Sequence, residues 1–181
     1  MNSSKHISAK SPMTSTVVES PLGWVRIVGD EMGVREIACQ DVTGDETMNT
    51  EVMADQLAKP VQLAVHQLAQ YFEGTRQTFD FPLTPAGTAF QQRVWLALMT
   101  VPYGTTLSYL TLSRQLGDEK AIRAVAAANG RNPLWIVVPC HRIIGSNGSL
   151  TGYAGGLWRK QWLLEHEGAL PGAKTGQMKL F

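Results

Sequence analysis

Across residues 17–28 apolar and polar positions alternate, and the run is interrupted by Ser20-Pro21-Leu22-Gly23. Alternation of period two marks half-buried strands, and Pro and Gly at those places suit a turn, so two strands joined by a hairpin are predicted. Gly29-Asp30-Glu31-Met32-Gly33 reads as a second turn and residues 34–39 as a third strand, with Cys39 a simple strand residue. The polar residues 40–50 read as loop. The period then changes. Over about residues 55–72, Leu57, Val61, Ala64, Val65, Leu68, Tyr71 and Phe72 fall on one face of a helix. Pro60 belongs in its first turn, Gly74 suits its C-terminal cap, and His66 belongs on its exposed side. Phe79-Asp80-Phe81 is expected to add a short strand.

Thr84-Pro85-Ala86-Gly87 separates this half from a second one. Thr88 and Gln91 have capping-box spacing for a helix through Met99, with Phe90, Val94, Trp95 and Leu98 inward. Val101-Pro102-Tyr103-Gly104 breaks it. Ser108 can cap a short helix over residues 109–116, and Gly117-Asp118 turns the chain into another that Gly130 ends. Two short helices joined at a glycine fit a helix-turn-helix and an ordinary αα-hairpin equally well. The second is rich in alanine (Ala121, Ala124, Ala126, Ala127, Ala128), which permits close approach to a neighbouring helix or a DNA groove, and Arg123 reaches beyond it. Ile136-Val137-Val138 then leads into Pro139-Cys140-His141-Arg142-Ile143-Ile144, read as a buried extended segment that the proline interrupts. A glycine-rich loop, Gly152-Tyr153-Ala154-Gly155-Gly156, lacks the GxGxxG spacing of a phosphate loop. A last helix over residues 157–167 has Leu157, Leu163 and Leu164 inward and stops at Gly168. The expected division is a disordered tail (1–14), an N-terminal α/β domain (15–84), a C-terminal domain (88–170) and a loose tail (171–181).

Composition refines this picture at three points. With 44% hydrophobic and 17% charged residues in 181, the chain is expected to be globular. No apolar run is long enough to span a membrane, and residues 1–13 have no apolar core of a secretory signal. Two cysteines, Cys39 and Cys140, are too few for a disulfide framework and suggest a reducing compartment, the cytoplasm or a nucleus. The net charge of +1 hides an asymmetry: 6 Lys/Arg against 11 Asp/Glu up to residue 87, then 10 against 4. A basic C-terminal half is a hint of a polyanionic partner.

Cys140 is the centre of the candidate chemistry. A free cysteine is most often a small core hydrophobe, but His-Arg directly after it is unusual for a core position. A thiol near neutrality needs a base, His141 is the nearest, and Glu165 or Glu167 must orient that imidazole if a carboxylate does. Three chemistries compete: zinc binding, for which Cys140, His141, Cys39 and His166 have no familiar spacing; cysteine hydrolysis, whose local signatures are missing; and alkyl transfer onto the thiolate.

Pro139-Cys140-His141-Arg142, preceded by Arg131-Asn132-Pro133 and Ile136-Val137-Val138, closely resembles the active-site segment of the O6-alkylguanine-DNA alkyltransferases. Phe90-Gln91-Gln92-Arg93-Val94-Trp95, Pro102-Tyr103-Gly104, Ser108-Tyr109, Arg123-Ala124-Val125, the 152–156 loop and Leu163-Leu164-Glu165-His166-Glu167 resemble further family blocks, in the family's order. The resemblance covers roughly residues 17–170. It implies an α+β chain, with an RNase H-like N-terminal domain and a mainly helical C-terminal domain carrying a helix-turn-helix. It implies that Cys140 takes an alkyl group irreversibly from guanine O6 in double-stranded DNA, once per molecule, with O4-alkylthymine a further substrate.

By position, His141 acts through a water on Cys140, Glu167 orients His141, Asn132 holds the turn, and Tyr109 gives a proton to the leaving guanine. Arg123 fills the vacated stack, with Ala124 and Ala127 on the groove-facing helix. The pocket is assigned to Tyr153, Ala154, Gly155, Ile143, Pro139 and Trp135, the last bulkier than in some relatives. Arg142 is assigned to DNA, either touching phosphate or bracing the fold. No cofactor, metal or membrane partner is expected, and the chain is expected to be monomeric, with cooperative assembly on DNA open. A DNA-binding module that senses alkylation without repairing it is the alternative, and a cysteine hydrolase comes third.

Overall fold

The computed structural model describes residues 12–40 and 56–170. Readings that concern the two tails, the 41–50 loop and the start of the first helix before residue 56 lie outside those residues. The three predicted strands form an antiparallel meander: β1 (Thr14–Ser20), β2 (Gly23–Asp30) and β3 (Gly33–Gln40), in that order. Gly23, at φ 91°, supplies the left-handed backbone of the hairpin turn that a Cβ would disfavour. Val25, Ile27, Val34 and Ile37 are fully buried. Helix α1 (Lys59–Phe72) packs on the sheet, and Val61, Ala64, Leu68 and Tyr71 form its buried stripe. Pro60 lies in its first turn, where the missing N–H costs nothing.

The outer edge of β3 carries the rest of the molecule. Val34 N–H donates to the Pro82 carbonyl (2.9 Å), and Thr84 N–H donates to the Val34 carbonyl (2.8 Å). The strand expected at Phe79-Asp80-Phe81 is therefore replaced by a single bridge at Leu83. Further along the edge, Ile37 N–H donates to the Pro133 carbonyl and Trp135 N–H to the Ile37 carbonyl. The sheet thus anchors the segment just ahead of Cys140.

The second half is mainly helical. Helix α2 (Ala89–Leu98) starts at a Thr88–Gln91 capping box, as its spacing predicts, and Trp95 Nε1 donates to the Ala128 carbonyl. Phe90, expected inward, is 37% exposed. Strand β4 (Leu107–Ser108) pairs in parallel with β5 (Ile143–Ile144). Helix α3 (Tyr109–Gln115) is capped by Ser108; after Gly117-Asp118 a 3-10 turn (Glu119–Ala121) leads into α4 (Ile122–Gly130), so Gly130 is its last residue rather than a cap beyond it. The last helix, α5 (Leu157–His166), buries Leu163 and Leu164 but leaves Leu157 49% exposed, against expectation.

The segment before Cys140 is buried, but it is not extended. Residues 135–138 wind through successive turns, with Val138 N–H bonded to the Leu134 carbonyl. Ile136 sits at φ 72°, a left-handed conformation that a β-branched side chain strongly disfavours. Such strain persists where surrounding bonds over-determine it. Here the determining residue is Asn132.

Candidate active site

Asn132 is 3% exposed and spends its whole amide on this segment. Its Oδ1 accepts from Leu134 N–H (2.9 Å), while Nδ2 donates to the Val138 carbonyl (2.8 Å) and meets Cys140 Sγ at 3.1 Å. The 3-10 turn Cys140–Arg142 follows Pro139. Because that turn replaces a strand, His141 and Arg142 both swing toward the end of α5 instead of pointing to opposite faces.

There they meet Glu167. His141 Nε2 lies 2.9 Å from Glu167 Oε1; Arg142 donates Nε to Oε2 (2.8 Å), Nη2 to Oε1 (2.9 Å) and Nη1 to the Val101 carbonyl (2.7 Å). Tyr71 Oη donates to Oε1 from α1 (2.8 Å), and Gly104 N–H donates to Oε2. Burial opposes a charge on Glu167, yet hydrogen bonds from His141 and Arg142 overcome it and bring the carboxyl pKa down to about 2. A carboxylate acceptor on Nε2 puts the ring proton there in neutral His141, so Nδ1 carries the lone pair. That nitrogen is buried and has no hydrogen-bond partner among the described residues. Burial lowers the His141 pKa against the pull of Glu167, which keeps the ring neutral and basic.

Of the two roles expected for Arg142, the geometry places it in the bracing one, against Glu167 and Val101. It is 6% exposed, and its guanidinium is spent on Glu167 and Val101. The reason is electrostatic: a carboxylate at the C-terminal end of α5 is opposed by the helix dipole and by burial, and a bidentate arginine offsets both.

The Cys140 thiol is 3% exposed, and burial raises its pKa; Asn132, Lys160, its own backbone N–H and Tyr153 pull the other way. Lys160, on α5, is a participant that sequence patterning did not single out. It is fully buried, donates to the Ile143 and Thr151 carbonyls, and its ammonium pKa is brought down to about 8 by burial. Only contact order in three dimensions identifies it, since a lysine at an inward helix position carries no local signal. Asn129, also unpredicted, donates to Tyr109 Oη at 3.2 Å, so the Tyr109 proton is free to point elsewhere. Burial and the nearby Cys140 raise the Tyr109 pKa, which keeps that proton in place.

A cleft of about 500 Å³ opens on the far side, lined by Tyr109, Ile122, Arg123, Ala126, Gly130, Thr151, Gly152, Tyr153 and Ala154. The exposed side of α4 presents Arg123, Ala124 and Ala127, with Arg131 following the helix. The Tyr153 hydroxyl stands beside the thiol but makes no hydrogen bond in good geometry. Trp135 packs behind this wall, its ring 5.5 Å from that of Tyr153. Gly155 is buried against it, and Ile143 is fully buried. Pro139, expected in the pocket, instead lines a separate groove with Phe79, Met99, Tyr103 and Arg142, because the turn carries it away from the α4 side. Arg159 holds the loop from below, donating Nη1 to the Gly155 carbonyl and Nε to the Leu22 carbonyl of the β1–β2 turn, both at 2.8 Å. Among the described residues no three His, Cys, Asp or Glu side chains converge as a metal site, and no helix is long and apolar enough to cross a membrane.

The chain is thus a sheet-and-helix unit followed by a helical unit whose helix α4 flanks the cleft. Residues 13–85 match the ribonuclease-like domain of 6-O-methylguanine DNA methyltransferase, and residues 89–169 match its DNA-binding domain. Two curated relatives carry the name methylated-DNA–protein-cysteine methyltransferase. The one from Methanosarcina acetivorans is 42% identical over 157 residues, covering 87% of this chain and 99% of its own. The one from Mycolicibacterium paratuberculosis is 44% identical over 155 residues, covering 83% and 89%. Among solved structures, Mycobacterium tuberculosis O6-methylguanine methyltransferase superposes with a TM-score of 0.73 at 40% identity, covering 89% of this chain and 96% of that one. A structure of the Mycobacterium tuberculosis protein OGT in complex with DNA gives 0.73 at 41%, covering 88% and 96%. The chain belongs to the methylated-DNA–protein-cysteine methyltransferase family, and DNA is its partner.

Proposed function

We propose that this chain repairs O6-alkylguanine in duplex DNA by moving the alkyl group onto its own Cys140, once per molecule. The observation that carries the reading is the chain of contacts behind the cleft: a buried thiol held by Asn132, and a neutral His141 oriented by a permanently charged Glu167. His141 Nδ1 takes the Cys140 proton through a bridging water. The sulfur forms a bond to the alkyl carbon as the carbon–O6 bond breaks; the bonding pair stays on guanine, which leaves as the neutral base by taking a proton from Tyr109, and the proton held by His141 returns through solvent to the Tyr109 oxygen. A stacked base cannot reach a thiol this deep, so the nucleotide is turned out into the cleft, with Arg123 taking its place. Alanines on α4 let the backbone approach the groove, and the basic surplus of this half favours the phosphates.

The thioether has no route back to a thiol, so the protein is consumed. It acts as a monomer, with O4-alkylthymine a secondary substrate. Intact-mass spectrometry after incubation with excess O6-methylguanine duplex tests this. One added methyl on Cys140, stopping at one equivalent and absent from Cys140→Ala, is the expected result. Duplex bound without any change of mass would move the chain to the alkylation-sensing class, and turnover beyond one equivalent to the hydrolases.

A further inference from the structure

Glu167 is faced by His141 and Arg142 from the 3-10 turn, by Tyr103 and the Gly104 N–H from the loop after α2, and by Tyr71 from α1. Tyr71 is the member from the other half of the molecule, 96 residues away in sequence. Its ring is fully buried in an aromatic cage of Phe72, Phe79, Tyr103 and His166, and His166 Nε2 lies 2.7 Å from the Tyr71 carbonyl. The hydroxyl has one direction to point, and that direction is Glu167 Oε1, the oxygen that His141 also binds. Burial and the adjacent carboxylate raise the Tyr71 pKa well above the usual phenol value, so it donates at every working pH.

We infer that Tyr71 is a positioning residue for the transfer reaction, acting from the N-terminal domain by holding Glu167 Oε1 and sharing its negative charge with His141. Three donors converge on that one oxygen: Tyr71, His141 and Arg142. A carboxylate oxygen whose charge is drawn by other donors stabilises an imidazolium less. Tyr71 therefore keeps His141 a neutral base, in the same direction as burial, Arg142 and Lys160. Removing its hydroxyl leaves more charge for His141, which then holds its proton to higher pH. This rests on the repair function proposed above.

The test is Tyr71→Phe, which keeps the ring in its cage and deletes one donor. Single-turnover methyl transfer is followed from about pH 5.5 to 8.5 alongside the wild-type chain, with Tyr103→Phe, which loses a bond to the His166 carbonyl instead, as the comparison. For Tyr71→Phe the acid limb moves upward, and the ratio of the rate at pH 8 to that at pH 5.5 grows about threefold or more. Duplex affinity stays unchanged, and Tyr103→Phe keeps the wild-type profile shape. A rate lowered by the same factor at all pH values would mean simple structural damage and would overturn the inference, as would a profile identical to wild type. Failure of the wild-type chain itself to take up methyl would sink the repair function instead, so the two outcomes are separable. Where Tyr71→Phe does not fold, Tyr71→Met, which also deletes the donor to Glu167 Oε1, is assayed for the pH dependence of Cys140 alkylation by iodoacetamide: an acid limb moved upward supports the inference, and a limb unmoved overturns it.

Discussion

Asn132 Nδ2 stands 3.1 Å from the Cys140 sulfur while the same amide closes the turn that delivers that sulfur. One side chain therefore joins two properties, the fold of residues 134–138 and the ionisation of the thiol. A donor aimed at sulfur favours the thiolate, against burial, which raises the Cys140 pKa. Asn132→Ala should lose both at once. Each buried partner left unpaired costs about 1–3 kcal/mol, and the strained Ile136 backbone is released. The expected outcome is a lower denaturation midpoint together with slower methyl uptake at neutral pH. Asn132→Asp keeps the acceptor for Leu134 N–H but puts a negative charge beside the sulfur, so it should recover stability more than reactivity. Equal recovery of both would count against the link.

Glu167→Gln probes the other end of the relay. It strands the buried Arg142 guanidinium, and breaking one side of a buried pair costs about 3–5 kcal/mol. The pH sign follows from two groups. Glu167 falls from 4.5 unfolded to about 2 folded, so its contribution is complete above 4.5 and is lost as pH falls through 2. His141 is also lowered from 6.5, so the unfolded chain takes up that proton first, and stability falls as pH drops below 6.5. Urea midpoints of the wild-type chain should therefore decline from about pH 6.5 downward, in two stages. Glu167→Gln should begin lower and lack the stage nearest pH 2. A parallel decline in both proteins would show that other carboxylates dominate.

How far such contacts could be read in advance depends on their range. The meander, α1 and the capping box at Thr88 were legible because period and caps are local signals, and the Cys140-His141-Arg142 cluster because three polar or reactive residues interrupt an apolar run. Tyr71, Lys160, Asn129 and Arg159 were not, since their partners lie far off in sequence or on other elements and each side chain is ordinary at its own position. Residues 135–138 misled for a different reason: an apolar run states that it is buried, not how it winds. Phe90 and Leu157 occupy helical positions of the right period, but they lie in first turns that project past the core.

Arg123 begins the exposed face of α4 and also lines the cleft. On the flipping mechanism proposed above, the side chain at that corner enters the stack as the nucleotide leaves it. Arg123→Ala should therefore slow transfer from duplex DNA by about tenfold or more, while reaction with free O6-methylguanine base, which needs no unstacking, stays near the wild-type rate. Rapid-quench measurements on both substrates decide it. Equal slowing of the two would place Arg123 in the pocket chemistry instead of the flipping step.

Gly155 and Trp135 pack together behind Tyr153, which lines the cleft. A Cβ on Gly155 would lie 2.5 Å from Trp135 Cζ3, 2.9 Å from Cη2 and 3.1 Å from Tyr153 Cε1. Those are rigid ring atoms, so the neighbours must move as units, and Tyr153 forms the cleft wall. Gly155→Ala should cost about 1–3 kcal/mol as an overpacked site and press Tyr153 toward the substrate. Transfer of benzyl should then fall more than transfer of methyl. Trp135→Leu should relieve the pressure, so the double variant Trp135→Leu/Gly155→Ala recovers both stability and benzyl transfer relative to Gly155→Ala alone. The cycle is measured with urea midpoints and with paired methyl and benzyl duplexes. Strict additivity would mean that the two positions do not share the space, because coupling is what direct contact predicts.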